Sequence, residues 1–375
     1  MKTRRTAAPV LSQRALNRSL LERQHLLQRR RASALSEIEH LVAMQAQVPN
    51  SPYVGLWTRL EEFQPAELAR LIMEKRAVRL GIMRNTLHLL SARDALALRP
   101  LFNRVLERVL QSSPFGSQLQ GSELRLVVAE GTRLLRQQPR TLAQLGSLLQ
   151  QRWPGRGPTA LGYAIRHLVP LVQVPPRGIW GKTAQPTWTT LEHWLDRPVE
   201  RKPDLDALVL RYLAAFGPAS VADMAAWSGL TALRPTFERL RPDLRIYQDE
   251  RGRELFDLPD APHPDPKTPA PPRFLPEYDN IVLGHQDRTR VIAFEHRHVI
   301  LYGMFLLDGF LAGTWSMAKA KDGARLTVSS FKPLKRPDRA GLAEEGERLL
   351  SFAAPGSARG VDFVEGTPRN AWSQR

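Results

Sequence analysis

Residues 203–258 read PDLDALVLRYLAAFGPASVADMAAWSGLTALRPTFERLRPDLRIYQDERGRELFDL, and their punctuation sets the fold class. Apolar residues fall at helical spacing from Leu205 to Phe216, and Gly217-Pro218 ends that helix. Ser220 caps a short helix, Val221–Ser228, and Gly229-Leu230 turns the chain. Thr231 opens a third helix that runs to Leu240 and stops before Pro242. Leu244–Tyr247 and Glu254–Leu258 then read as strands, joined by the turn Asp249-Glu250-Arg251-Gly252. Three short helices followed by a hairpin is the winged-helix plan, in which the third helix or the wing often meets DNA.

The same order recurs upstream. Helices are expected at Glu123–Gln137, at Leu142–Trp153 behind the cap Thr141, and at Pro158–His167. The strand Leu171–Pro175 and the turn Pro175-Pro176-Arg177-Gly178 lead to Ile179-Trp180-Gly181, a wing-like hairpin. A more elaborate first copy has helices Gln13–Gln28 and Ser33–Gln45, a break at Pro49-Asn50-Ser51-Pro52, then helices Tyr53–Leu60 and Pro65–Lys75. An extended segment, Val78–Leu90, and a long helix, Ala92–Gln111, complete it. Three such units in tandem suit a platform for a long ligand such as a duplex; duplication for scaffolding alone is an equal reading.

Downstream, Asp260–Pro272 is a Pro-rich linker. The pattern then switches to strands: Asn280–Leu283, Val291–Phe294, His298–Leu307, Phe310–Trp315 and Arg325–Phe331, with a strong hairpin signal at Asp308-Gly309. A helix near Ala340–Phe352 closes them. The expected class is α+β: three tandem winged-helix units (1–120, 121–200 and 201–259), a linker (260–272), a C-terminal antiparallel β-barrel (273–355) and a flexible tail (356–375).

The formal net charge is +17, and of 54 cations only nine are lysine. Such a surface attracts polyanions, nucleic acid first among them. An Arg-, Ala-, Pro- and Leu-rich composition also follows from a GC-rich genome, but acidic residues have not risen to cancel the charge. There is no cysteine, which excludes disulfides, thiolate zinc sites, iron–sulfur clusters and a thiol nucleophile. Met1–Val10 is basic without a following apolar run, so no signal peptide is read, and no window reaches 18 uninterrupted apolar residues. The expected location is the cytoplasm, with the nucleoid.

Familiar catalytic motifs are missing: there is neither a Gly-rich phosphate loop nor a nucleophile elbow. His296 and His298 share a strand face but have no third ligand, so surface or barrel-lining roles fit better than metal binding. No metal and no cofactor are expected. In Met44-Gln45-Ala46-Gln47-Val48-Pro49 a helix runs into a proline, and Val48 is biased to an extended backbone. If the helix unwinds near Gln45, both amides face one spot. On composition alone, two glutamines solvating a helix end is the better reading. In Val78–Leu90 one strand face passes from Val78, Leu80 and Ile82 to Arg84, Thr86 and His88. Phosphate or base contact and a half-exposed strand are about equally good readings of that row.

The segments Met44-Gln-Ala-Gln-Val-Pro49, Arg84-Asn-Thr-Leu-His88 and Phe274-Leu-Pro-Glu-Tyr-Asp-Asn280, with His285 and Asp287 beyond, resemble the AlkZ-type DNA glycosylases, tandem winged-helix proteins related to YcaQ. The resemblance runs from about Leu11 to Phe352, and the Gln-x-Gln pair places the chain on the AlkZ branch rather than the YcaQ-like branch. Small Ala46 in the middle is a departure that bears on how the pair packs. The resemblance implies three winged-helix units around a β-barrel. It also implies a monofunctional glycosylase acting on bulky N7-alkylated purines in double-stranded DNA, interstrand crosslinks included in some members. Gln45 and Gln47 would be catalytic, Gln47 the closer to water. Arg84, Thr86, His88, Arg177 and Trp180 are candidates for DNA contact, although wing packing is the better reading of Trp180. A monomer is expected, and self-resistance and housekeeping repair stay equally open. The competing readings are a winged-helix regulator and a non-catalytic damage-binding protein.

Overall fold

The computed structural model describes residues 8–116, 119, 121–320, 323–356 and 359–366 of the 375. Its strands are β1 (Val10–Leu11), β2 (Met44–Gln45), β3 (Ala77–Gly81), β4 (Leu87–Ser91), β5 (Leu171–Gln173), β6 (Trp188–Thr190), β7 (Arg245–Asp249), β8 (Glu254–Asp257), β9 (Arg273–Leu275), β10 (Gly303–Leu307), β11 (Phe310–Ala320), β12 (Gly323–Ser330) and β13 (Arg359–Glu365). They form three sheets, ordered β1-β7-β8, β2-β4-β3-β5-β6 and β13-β12-β11-β10-β9.

The first two helices of residues 203–258 lie where their caps place them, whereas the third starts at Arg234 behind Leu233, not at a Thr231 cap. Leu205–Phe216, Val221–Ser228 and Arg234–Leu240 are followed by the β7–β8 hairpin. Ser220 and Asp223 form a reciprocal capping box, and left-handed Gly229 stops the second helix. Upstream, Gly121–Gln137, Leu142–Arg152 and Pro158–Leu168 are helices close to the expected bounds, with Thr141 and Gln144 making a second capping box and Pro158 in the first turn of the third.

Several expectations need correction. The strand that partners β5 is Trp188–Thr190, not Ile179–Gly181. Pro175 and Pro176 have no N–H to give a ladder, and the Tyr53 hydroxyl captures the following turn by donating to Gly178 O and accepting from Trp180 N. β5 also pairs with β3, so residues expected in two separate units share one sheet. Val78–Leu90 is not one extended run: β3 and β4 form a hairpin around a 3-10 turn, Met83–Asn85. The long helix expected over Ala92–Gln111 breaks into Ala92–Leu98 and Asn103–Ser112 around a 3-10 turn holding Pro100.

None of the sheets closes into a barrel. Two strands expected to complete it are absent because local caps win over β-propensity. The Asp279 carboxylate accepts from Ile281 N, so Asn280–Leu283 is helical. Asp287 caps Arg288–Arg290 in the same way, and Phe294–Leu301 winds as 3-10 helix, leaving Val291–Phe294 and His298–Leu301 outside any strand. The five-stranded C-terminal sheet stays open, with helix Arg336–Ala353 packed on β9, β12 and β13. The tail also differs: residues 359–365 pair in parallel with β12, and residues 367–375 lie outside the described residues. The Asp308-Gly309 turn is as expected, both residues at positive φ between β10 and β11.

Segments remote in sequence share their cores. One apolar cluster joins Leu20, Val78, Phe216 and Met304; another joins Ile38, Ala46, Phe274 and Leu349. Buried ion pairs stitch the same partners: Arg59 grips Asp279 at 2.7 and 2.8 Å, and Arg23 grips Asp257 at 2.6 and 2.8 Å. These long-range ties join the N-terminal helices to residues 257 and 279.

Candidate active site

Gln45 and Gln47 leave the chain where helix becomes strand. The helix expected over Ser33–Gln45 ends at His40, and Val42 takes a φ of 66°, which forces the chain out of the helix. Met44 and Gln45 then pair with Leu89 and His88 of β4, and Ala46 N–H donates to Leu87 O at 2.7 Å. Side chains at i and i+2 on an extended backbone share a face. Ala46 is fully buried in the core, so the glutamines flank it on the other face. Gln45 is 8% exposed, and its Oε1 accepts from Arg84 Nη2 at 2.9 Å. Gln47 is exposed, and its Oε1 receives only a long N–H from Leu87, at 3.4 Å. Gln45 therefore meets the loop that joins β3 to β4, and Gln47 the first residue of β4.

The segment is braced from two directions, and the helix that follows it is tied at Ser51. Buried Arg79 donates through Nη2 to Ala46 O at 2.8 Å and through Nη1 to Gln173 Oε1 at 2.5 Å. Burial, and then Arg177 nearby, pull its pKa down to about 10. Asn280 Nδ2 donates to Ala43 O at 2.8 Å, and Ser51 Oγ donates to Glu277 Oε2 at 2.8 Å. The block Phe274–Asn280 thus underpins the Gln-Ala-Gln segment from the outside. Arg79 and Asn280 were missed as site residues. The signal for Arg79 was present: a cation between Val78 and Leu80 in an apolar strand needs acceptors.

Arg84 holds the loop to the site. It sits at φ 51° with Asn85 at φ 59°, donates Nη1 to Trp227 O and Nη2 to Gln45 Oε1. Gly229 permits this approach: a Cβ there would lie 3.3 Å from Arg84 N. Burial, then the charge of Arg288, lower the Arg84 pKa to about 10, so it remains a cation at neutral pH. His88 is 2% exposed, with Nδ1 on Thr86 O. Burial and Arg84 drive its pKa to about 3, so it stays neutral. Thr86 spends its hydroxyl on Met83 O at 3.1 Å.

A cleft of 390 Å³ opens beside Gln47. Arg177, Arg166, Gln173 and Trp188 line it, and no Asp or Glu does. Arg177 is steadied by Nη1 donating to Ala184 O at 2.8 Å. Trp180 stands apart from that cleft, its ring against Tyr53 at 5.0 Å and Phe352 at 5.4 Å. Among the described residues no group of three metal-ligating side chains comes together, and His296 stacks on Phe331 at 3.8 Å. Also among them, no helix is long and apolar enough to cross a membrane.

A family described as DNA glycosylase AlkZ-like matches residues 38–352, which include both glutamines, the β3–β4 hairpin and their braces. Among solved structures, Streptomyces sahachiroi DNA glycosylase AlkZ superposes with a TM-score of 0.74 at 20% sequence identity, covering 95% of this chain and 100% of that one. That likeness is one of fold. No curated protein sequence matches the chain.

Proposed function

The chain belongs to the AlkZ-like DNA glycosylase family and is a DNA glycosylase, and from that premise we propose that it hydrolyses the N-glycosidic bond of bulky N7-alkylated purines in duplex DNA, interstrand crosslinks among them. The observation that carries this reading is the lack of a carboxylate at the glutamine pair. The two amides meet only Arg84 and the Leu87 N–H, with an uncharged histidine nearby, and among the described residues no carboxylate is hydrogen-bonded to either glutamine.

Alkylation at N7 makes the purine cationic, so it departs without a strong acid. The N9–C1′ bond breaks with its electron pair going to the base, whose positive charge that pair neutralises. Water then forms the new bond to C1′ and loses its proton to solvent, because an amide accepts a hydrogen bond but not a proton. Gln47, exposed and loosely held, is the residue that orients the water. Gln45, locked by Arg84, keeps its NH2 for the deoxyribose. The two together shape an oxocarbenium-like transition state by position rather than by base strength. A Schiff-base route is disfavoured, since Lys75, the lysine nearest these motifs in sequence, lies over the Trp194 ring at 4.4 Å.

The test is base release from a duplex carrying one N7-alkylguanine. Gln45→Ala/Gln47→Ala should lose about 10²–10⁴-fold in rate with DNA binding kept. No release by the wild type from either simple or bulky adducts, with binding intact, would move the assignment to a regulator or a damage sensor.

A further inference from the structure

A second cleft, of 790 Å³, lies against the C-terminal end of the helix Val221–Ser228. Its lining sets four arginines, Arg251, Arg253, Arg288 and Arg297, against one acid, Asp287. Asp287 is already shared by Arg251 at 3.2 Å and Arg253 at 2.6 Å. Arg288 and Arg297 have no acidic partner among the described residues. Arg288 is half-buried, and burial without a counter-charge lowers its pKa. A cation held this way is unfavourable for the fold alone, and a bound anion removes the penalty.

The cleft also holds Phe294, which is 69% exposed, the highest value among the large apolar side chains described. The Arg297 guanidinium covers its ring at 3.7 Å. Single exposed apolar residues are ordinary. An exposed ring beside two unpaired arginines is a different combination, suited to a ligand with both phosphates and flat bases. The cleft is close to the chemistry: Ala226 lines it, and the adjoining Trp227 carbonyl accepts from Arg84, which in turn holds Gln45.

We infer that this cleft is a second DNA subsite, where Arg288 and Arg297 take backbone phosphates flanking the lesion and Phe294 stacks on a nucleobase. It rests on the glycosylase reading only for what happens at Gln45; the subsite itself is a matter of binding.

The experiment follows binding of a labelled duplex to the full chain as a function of KCl. Arg288→Ala/Arg297→Ala should reduce the slope of log K against log salt by about 1.8, at about 0.9 per phosphate lost. Arg288→Lys/Arg297→Lys should restore most of it. Phe294→Ala should keep the slope but abolish quenching of a 2-aminopurine placed beside the lesion. Arg133→Ala, whose guanidinium is taken up by Glu130, should change neither. If Arg288→Ala fails to fold by circular dichroism, Arg297→Ala and Phe294→Ala, both at exposed positions, carry the test alone. An unchanged slope and unchanged quenching overturn the subsite. Base release measured on the same duplex separates the two readings: slope loss without wild-type release removes the catalytic assignment and leaves the subsite. Release with an unchanged slope does the reverse.

Discussion

Arg84 shows how one side chain joins two functions. Its fork spans Trp227 O and Gln45 Oε1, so it fixes the Gln45 amide and fastens the β3–β4 hairpin to the helix Val221–Ser228 together. Arg84→Ala should leave Gln45 free to rotate and lower single-turnover base release by about 10-fold or more, with a much smaller effect on DNA affinity. Arg84→Lys should rescue little, since a single ammonium does not reproduce a planar fork across two acceptors. Equal losses in affinity and rate would instead make Arg84 a DNA contact first. That the chain would turn extended around the two glutamines was legible from Pro49, which biases the preceding residue out of the helix; a role for the pair came only with the family resemblance, since composition alone favoured glutamines solvating a helix end. The braces were not legible, because Arg79 and Asn280 act on Ala46 and Ala43 from segments far away in the chain.

Among elements, those with their own start and stop signals were readable. Residues 205–257 carry Ser220, Gly217-Pro218 and Gly229, and their helices and hairpin lie within a few residues of expectation. Residues 280–301 were misread as strands because β-branched residues there are overruled by the Asp279 and Asp287 caps. The pairing of β3 with β5 depends on contacts between units and has no local signature. Asp279 does two jobs, capping Asn280–Leu283 and neutralising buried Arg59. Asp279→Ala should therefore cost about 3–5 kcal/mol in urea unfolding, because it strands a buried cation. Arg59→Met/Asp279→Leu should recover much of that loss despite removing the same ion pair. A double variant no better than Asp279→Ala would show that the cap, not the charge, carries the effect.

At the scale of the whole molecule, a basic surface surrounds an interior whose histidines are kept neutral. His88, His285, His40 and His167 all have pKa values lowered first by burial, His88 to about 3. The hydrogen bonds agree: His285 gives Nε2 to Phe216 O while Nδ1 has no partner, and the Nε2 of His167 has none. An imidazolium would need acceptors for both nitrogens. The unfolded chain takes up these protons near pH 6.5, whereas the folded chain resists them until far lower. Between those limits the unfolded state binds more protons, so stability falls as pH falls, by about 1.4 kcal/mol per pH unit for each histidine fully engaged. Aspartates act in the same direction further down: buried Asp257 and Asp223 have depressed pKa values, and partly exposed Asp287 is held at about 2, so their contributions vanish only below the usual carboxylate range. Melting temperature should thus begin to drop below about pH 6.5, well before carboxylates titrate, and His88→Asn should soften that drop. A melting temperature flat from pH 7.5 to 5 would mean the buried imidazoles gain partners on protonation. Because His88 stays neutral through that window, base release should show no acid limb near pH 6.5 in conditions where the chain remains folded; a limb there that His88→Asn abolishes would place a proton on His88 during catalysis.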